Sequence, residues 1–171
     1  LDLLGVHGAV VGFAIPDAAD FHALAVMNAI LGGLFNSRIN LNLRERHAYT
    51  YGAFSSLDWR RDASIFSAST AVQSEVTGPA LREMLHEITR IREAPVAADE
   101  LSLAVDYLTG VFPLRFETTA AIADALAMRI GFGLEPSYYD TYRERVRAVD
   151  AAAVLRVAQE HLHPDRLQVV V

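Results

Sequence analysis

The chain has 171 residues, of which 52% are hydrophobic and 9% aromatic, enough for one globular domain with a buried core. Its formal net charge of −6 argues against the basic surface that a nucleic-acid partner requires. It has no cysteine, which excludes disulfides and thiolate chemistry, and no apolar run reaches the roughly 18–20 residues of a membrane span.

The N-terminal third predicts a strand followed by two helices. Residues 10–15 form an apolar run closed by a Pro-Asp turn, which predicts a short buried strand. Apolar residues at helical spacing predict a helix over residues 18–31. Glycines end that helix, and we expect Gly33 to adopt a positive φ as its C-cap residue. Asn36 and the residues after it can cap a second short helix that runs to about Arg44.

The middle of the chain changes from strands to helices. Residues 49–57 and 63–71 alternate in polarity and predict two strands joined by a polar hairpin connection over residues 58–62. An amphipathic pattern then predicts a long helix that begins near Thr77 and ends before Pro95.

The C-terminal third predicts four helices and a strand. One helix opens at Asp99, and the next is capped by Thr118 or Thr119. In that second helix the spacing of three apolar residues places them on the buried side: Ile122, Leu126 and Ile130. The remaining predicted elements are a helix from Pro136 toward Val146, a helix from Asp150 toward Leu162, and a strand over residues 166–171.

This order of elements predicts an α+β fold. We expect a two-layer sandwich in which helices pack on one face of a mostly antiparallel or mixed sheet. Without a linker or a repeat, residues 1–171 form a single domain. The chain opens on Leu1 without an initiator Met and closes on an apolar run, so we interpret it as a fragment of a longer chain.

The six histidines do not match a helical zinc motif, which needs two histidines four residues apart with a glutamate between them. His86 is followed by a glutamate, but position 90 is Arg90. His161 and His163 lie where a helix should end, a position that favours histidine through the helix dipole. We therefore expect no metal ligand and no cofactor in this chain.

The segment over residues 31–52 contains the residues best suited to contact a substrate. Arg44 lies at the end of the predicted helix, and Tyr51 lies early in the following strand. If they converge, they offer a guanidinium and a phenol, which are good donors to a peptide carbonyl or a developing oxyanion. The structural alternative is that Arg44 satisfies carbonyl groups at the helix end and that Tyr51 fills the core.

At this segment the sequence resembles the pitrilysin/insulinase family of zinc metallopeptidases, to which the mitochondrial processing peptidases are related. The similar features are Leu31-Gly32-Gly33 with Ser37-Arg38, Leu43-Arg44-Glu45 and Tyr51-Gly52, then Val111-Phe112-Pro113 with Phe116-Glu117-Thr118, and Leu162-His163-Pro164-Asp165. They follow one another in the expected order over nearly the whole chain. The resemblance is to the second-half domain of the family, the one without zinc.

The resemblance implies a function for the parent protein. In the family, similar domains close around an extended peptide, and one of them binds zinc through His-x-x-Glu-His. The partner domain supplies an Arg and, seven residues later, a Tyr that contact the substrate and stabilise the tetrahedral intermediate. Arg44 and Tyr51 match that pair. Zinc is then expected in a homologous partner domain, in the same chain or in another subunit, and the substrate is a peptide.

Two functional interpretations follow. The first is a substrate-binding, oxyanion-stabilising domain of a zinc metalloendopeptidase that is not catalytic by itself. The alternative is a non-catalytic scaffold or partner subunit of the same family, whose partner domain also lacks zinc. The compartment stays open, and both bacterial cytoplasm and periplasm fit the sequence.

Overall fold

The structure is a computed structural model that describes residues 2–10, 19–60 and 64–171. Its strands form one antiparallel sheet with the order β2-β3-β1-β4. The strands are β1 (Asp2–Val10), β2 (Ala53–Asp58), β3 (Ser64–Val72) and β4 (Gln168–Val170). The predicted α+β class is confirmed, and every strand pair in the described ranges is antiparallel rather than mixed.

Seven α-helices accompany the sheet in the described part of the chain. Two of them continue directly into π-helical segments: α1 (Phe21–Asn28) into Ala29–Gly33, and α2 (Arg38–Asn40) into Leu41–Arg46. The others are α3 (Thr77–Arg90), α4 (Ala98–Val111), α5 (Thr119–Phe132), α6 (Tyr138–Arg147) and α7 (Ala151–His161). None of the helices described is long and apolar enough to cross a membrane.

Several predicted boundaries differ from the structure. The strand predicted over residues 10–15 lies almost wholly outside the described residues, as does part of the 58–62 hairpin connection. The first helix does end at Gly33, but Gly33 is not in the positive-φ region, so the C-cap interpretation is wrong. Among the described glycines, the positive φ belongs to Gly133, which ends α5 at φ +69°.

The core lies between the sheet and the helices. Strand β3 alternates, and the side chains of Phe66, Ala68 and Val72 are buried on its inner face. The same core contains buried apolar residues of several helices: Leu24 and Met27 of α1, Met84 and Ile88 of α3, and Val154 and Val157 of α7. Burying a side chain of this size contributes about 1.5–3 kcal/mol each.

Helix α5 turns its apolar stripe away from this core. Ile122, Leu126 and Ile130 are 43%, 45% and 73% exposed, so the prediction that they point inward is wrong. None of the fourteen residues of α5 is buried. The phenol of Tyr139 donates to the carbonyl of Ala125 at 2.8 Å, which holds the helix by its alanine-rich side. The large apolar side chains therefore remain on the surface.

The two edges of the sheet are unlike. At the β2 edge, Asn40 Oδ1 accepts from the N–H of Ala53 at 3.0 Å, and Asn28 Nδ2 donates to the carbonyl of Ser55 at 3.3 Å. These backbone groups are satisfied by asparagines of the α1 and α2 region rather than by another strand. The three residues of β4 at the opposite edge are all exposed.

A close backbone approach fixes the first helix against β2. A Cβ added to Gly32 would lie 2.6 Å from the backbone nitrogen of Ser55 and 2.5 Å from its hydroxyl oxygen. Ser55 also donates from Oγ to Asn28 Oδ1 at 2.8 Å. Only glycine fits at position 32 without moving the strand, whatever its φ.

We expect Gly32→Ala to destabilise the domain by about 1–3 kcal/mol, because the added methyl group must push β2 off the helix. The matched control is Gly131→Ala in α5, where the added Cβ would meet nothing within 4 Å. That change should stabilise by about 0.5–1 kcal/mol. Urea unfolding of the three proteins measures both effects. Equal free energies of unfolding for Gly32→Ala and the wild type would mean that α1 and β2 are not in contact.

Candidate functional site

Arg44 and Tyr51 line the same surface groove, which has a volume of about 470 Å³. The groove lies where the π-helical segment Leu41–Arg46 passes into β2. The two residues that the sequence analysis singled out therefore lie on one groove. The other lining residues come from the connecting turn and from the end of β3 and the residues after it: Glu45, Ala48, Tyr49, Thr50, Ala71, Gln73 and Val76.

The guanidinium of Arg44 is held by a ring rather than by helix carbonyl groups. Its Cζ lies 4.2 Å from the centroid of the Phe35 ring, and its Nε lies 3.6 Å from Glu45 Oε1. The Nη1 atom is buried and has no hydrogen-bond acceptor among the described residues. The structural alternative for Arg44, satisfaction of carbonyls at the helix end, is thus not what the described residues display.

Tyr51 lies just before β2 and is 99% exposed. It does not fill the core, which was the structural alternative for this residue. Because its ring packs against so little, its hydroxyl is available to a ligand in the groove. A donor of this kind on the same groove as Arg44 suits a carbonyl oxygen that gains negative charge.

The turn between the two residues depends on a strained alanine. Ala48 has φ +52°, a left-handed conformation that residues with a side chain seldom adopt. There the helix ends: the N–H of Ala48 donates to the carbonyl of Arg44 at 3.1 Å, and the N–H of Tyr49 donates to that of Leu43 at 2.9 Å. The reversal brings the chain back along the helix end, so that Tyr51 reaches the groove of Arg44.

Two threonines fix the backbone beside Tyr51. The N–H of Gly52 donates to Thr50 Oγ1 at 3.1 Å, and that oxygen lies 2.8 Å from the carbonyl of Ala71 and 2.9 Å from Thr70 Oγ1. This cluster attaches the turn to β3. The backbone at residue 51 is therefore held while its side chain stays free.

Arg38 anchors the other end of the segment. It donates two hydrogen bonds of 2.7 Å to Glu100 of α4. These bonds are the main cause that lowers the pKa of the Glu100 carboxyl below its usual value. A two-point pair of this geometry is stronger than an ordinary surface ion pair. Arg38 therefore has a positioning role in this chain.

Sequence analysis missed Phe35, Thr50 and Thr70. Phe35 supports Arg44 from nine residues away, which no helical or strand spacing connects, and it is itself 59% exposed. Thr50 and Thr70 meet only because β2 and β3 pair. The positive φ of Ala48 has no sequence signal at all, since alanine normally favours a helix.

Within the described ranges, one group of potential metal ligands comes together: Asp20, Glu160 and His161. Arg156 donates to Asp20 at 2.6 Å and to Glu160 at 2.8 Å, and His161 Nε2 lies 3.0 Å from Asp20 Oδ2. The guanidinium of Arg156 therefore already supplies the positive charge that a metal ion would bring to these carboxylates. We interpret it as an ion-pair network that links α7 to the start of α1.

The antiparallel sheet, the helices on its inner side and the groove at the α2–β2 turn define an α+β domain. Residues 6–108 match the family described as the peptidase M16 inactive domain. The chain belongs to that family, the zinc-protease family that its resemblance to the pitrilysin/insulinase type had indicated.

Relatives of this chain agree with that membership. An uncharacterized zinc protease of Streptomyces coelicolor is 25% identical over 140 residues, which is 82% of this chain and 30% of that protein. The solved peptidase M16 inactive domain from Pseudomonas fluorescens has a TM-score of 0.88 and 21% identity, over 98% of this chain and 40% of that one. A protease from Helicobacter pylori has a TM-score of 0.85 and 18% identity, over 98% and 40%.

These similarities support different conclusions. The two solved structures are below 25% identity and establish the fold alone. The chain spans about a third of the length of the Streptomyces relative and two fifths of the two solved chains.

We expect Ala48→Gly to stabilise the domain by about 1 kcal/mol, because glycine adopts the left-handed conformation without a steric cost. The control is Ala127→Gly on the exposed side of α5, which should destabilise by about the same amount. Both are measured by urea unfolding. If both substitutions destabilise equally, position 48 is not held at positive φ in solution.

Proposed function

We propose that this chain is the zinc-less domain of a pitrilysin/insulinase-type zinc metalloendopeptidase and that its groove contributes substrate contacts. In this proposal Arg44 and Tyr51 donate hydrogen bonds to the peptide at the carbonyl group that is attacked. The zinc ion and the water it activates belong to a homologous partner domain, in the same chain or in another subunit.

The observation that carries the proposal is that Arg44 has a nitrogen without a hydrogen-bond partner and lines the same groove as the exposed phenol of Tyr51. Within the described ranges no acceptor lies at hydrogen-bond distance from Nη1, although that atom is buried. Leaving such a donor unsatisfied costs about 1–3 kcal/mol in an isolated domain. The Arg44 side chain as a whole is 31% exposed, so a ligand carbonyl can reach it when the domains close.

The assignment of zinc to one domain and of hydrogen-bond donors to the other has a physical reason. A zinc ion lowers the pKa of its bound water and polarises the scissile carbonyl. Negative charge then develops on the carbonyl oxygen, where fixed donors act most strongly once water is excluded. Donors that arrive from a second domain couple this stabilisation to capture of the substrate.

Placement of the peptide follows from the covered edge of β2. Since Ala53 and Ser55 are bonded to asparagines, a peptide does not extend the sheet through these two groups. We propose that in this domain the peptide is contacted by side chains of the groove. Strand addition, a common way to hold an extended peptide, is then excluded at these two groups of β2.

The surface of α5 supports the proposal that residues 1–171 are one domain of a larger assembly. Ile122, Leu126 and Ile130 form an exposed stripe at four-residue spacing on a helix with no buried residue. A contiguous apolar patch of this kind on a domain marks a surface that another surface covers. We assign that role to the partner domain.

The proposed function is tested by zinc content and peptide cleavage of the longer parent protein, with the 171-residue chain as control. We expect stoichiometric zinc and chelator-sensitive cleavage in the parent and neither in the chain alone. A parent that folds without zinc and cleaves nothing would instead make the protein a scaffold of the same family.

In the parent protein we expect Arg44→Ala and Tyr51→Phe each to lower turnover of an unstructured peptide by about 10²–10³, since each removes one donor to the developing oxyanion. Melting temperatures should stay unchanged. The matched control is Arg46→Ala, an exposed arginine two residues further on that does not line the groove. Turnover that is equal in Arg44→Ala and Arg46→Ala would refute the assigned role of Arg44.

The role of α5 is tested by Ile130→Asn in two contexts. In the 171-residue chain the side chain is 73% exposed, so the free energy of unfolding should change by less than about 0.5 kcal/mol. In the parent protein we expect a loss of about 1.5–3 kcal/mol, because the partner domain buries the same side chain. Arg147→Gln, also exposed, is the control and should be neutral in both. A small effect of Ile130→Asn in both contexts would contradict the proposal.

A further inference from the structure

Asn40, the last residue of α2, is a polar side chain that is only 1% exposed. Asparagine is a poor helix former, and burying an amide group costs free energy unless its hydrogen bonds are made. The side chain lies behind the groove of Arg44 and Tyr51 rather than among the residues that line it. What the two polar atoms of this amide bind therefore decides what the residue does.

The amide nitrogen of Asn40 holds the backbone of Phe35. Its Nδ2 donates to the carbonyl of Phe35 at 2.6 Å. The Phe35 ring is 59% exposed, so packing in the core contributes little to its position. The guanidinium of Arg44 rests against this ring, with 4.2 Å between Cζ and the ring centroid. A hydrogen bond to the Phe35 backbone therefore helps to set where the guanidinium of Arg44 lies.

The amide oxygen of Asn40 holds the start of β2. Its Oδ1 accepts from the N–H of Ala53, the first residue of that strand, at 3.0 Å, and this bond is buried. Ala53 follows Tyr51 by two residues. Between them, the N–H of Gly52 donates to Thr50 Oγ1 at 3.1 Å. The backbone after Tyr51 is thus fixed at two successive residues, and Asn40 supplies the second of these bonds.

The two partners also fix which way the Asn40 amide faces. An amide group offers an acceptor on one side and donors on the other. Turned over, it would place Nδ2 against the N–H of Ala53 and Oδ1 against the carbonyl of Phe35, and both hydrogen bonds would be lost. Among side chains of this size and shape, an ionised aspartate offers acceptors only and leucine offers neither. The position therefore suits asparagine in particular.

We propose that Asn40 is a positioning residue that sets Arg44 and Tyr51 relative to each other. It acts on Arg44 through the carbonyl of Phe35, and it contacts no substrate itself. It acts on Tyr51 through the N–H of Ala53. A single buried amide thus links the two sides of the groove, and its consequence for turnover rests on the proposed function of that groove.

Asn42 provides a matched control two residues further along the same segment. It is 2% exposed, and its Nδ2 donates to Glu87 at 2.7 Å and to Glu83 at 3.1 Å, both in α3. Replacing either asparagine by leucine removes a buried amide that makes two hydrogen bonds. Only the change at Asn40 breaks bonds to Phe35 and β2. The comparison therefore separates a loss of stability from a loss of positioning.

The link is tested first by NMR on the ¹⁵N-labelled 171-residue chain. In Asn40→Leu we expect the Nε–Hε signal of Arg44 and the amide signal of Gly52 to shift, and the Arg44 side chain to become more mobile. In Asn42→Leu both signals should stay at their wild-type positions. Equal shifts in the two variants, or no shift in either, would overturn the proposal.

Phe35→Leu tests the route to Arg44 by itself, and its exposed position makes loss of folding no concern. Without the ring, the Arg44 Nε–Hε signal should shift as it does in Asn40→Leu, while the Gly52 amide should stay unchanged. An unchanged Arg44 signal in Phe35→Leu would overturn the proposal even if Asn40→Leu does not fold.

Turnover by the parent protein is the second test. Asn40→Leu should lower kcat by on the order of tenfold to a hundredfold with KM nearly unchanged, because misplaced donors lose their effect in the transition state. Asn42→Leu should keep the wild-type kcat at a temperature where both variants are folded. A normal kcat in Asn40→Leu, with Arg44→Ala impaired, would overturn the proposal. If Arg44→Ala and Tyr51→Phe leave turnover unchanged, the proposed function fails, and the NMR result decides whether Asn40 positions the two residues.

Discussion

The contact between Gly32 and Ser55 is the constraint on which the rest of the structure depends. The π-helical end of the first helix lies so close to β2 that position 32 has no room for a methyl group. The side-chain amide of Asn28 donates to the backbone carbonyl of Ser55 and accepts from the Ser55 hydroxyl. These contacts set the distance between the helix layer and the sheet edge. The chain that connects them, with Arg38, Arg44 and the turn at Ala48, must then fit within that distance.

The groove is shaped by the path of this connecting segment. The chain leaves the helix at Ala48 in a strained conformation and is attached to β3 by Thr50 and Thr70. Strain of this kind persists only where the surroundings determine the backbone on both sides. A rigid turn with a free tyrosine side chain keeps Tyr51 on the groove that Arg44 lines.

Much of this architecture could be predicted from the sequence, and the failures have physical causes. Arg44 and Tyr51, which their spacing and their resemblance to a family pair singled out, line one groove, and their roles stay a prediction. Helix periodicity also found α5, but it could not tell which neighbour its apolar face meets, and Ile122, Leu126 and Ile130 point outward. The support of Arg44 by Phe35 and the positive φ of Ala48 arise only in three dimensions. No pattern of residue types encodes them.

The two edges of the sheet differ in whether a further strand can pair with them. At the β2 edge, side-chain amides hold backbone groups that a further strand would need. At β4 the short strand Gln168–Val170 is exposed and has a neighbour on one side only within the described ranges. Within the described ranges, a strand that joined this sheet would therefore find an open position beside β4 and a blocked one beside β2.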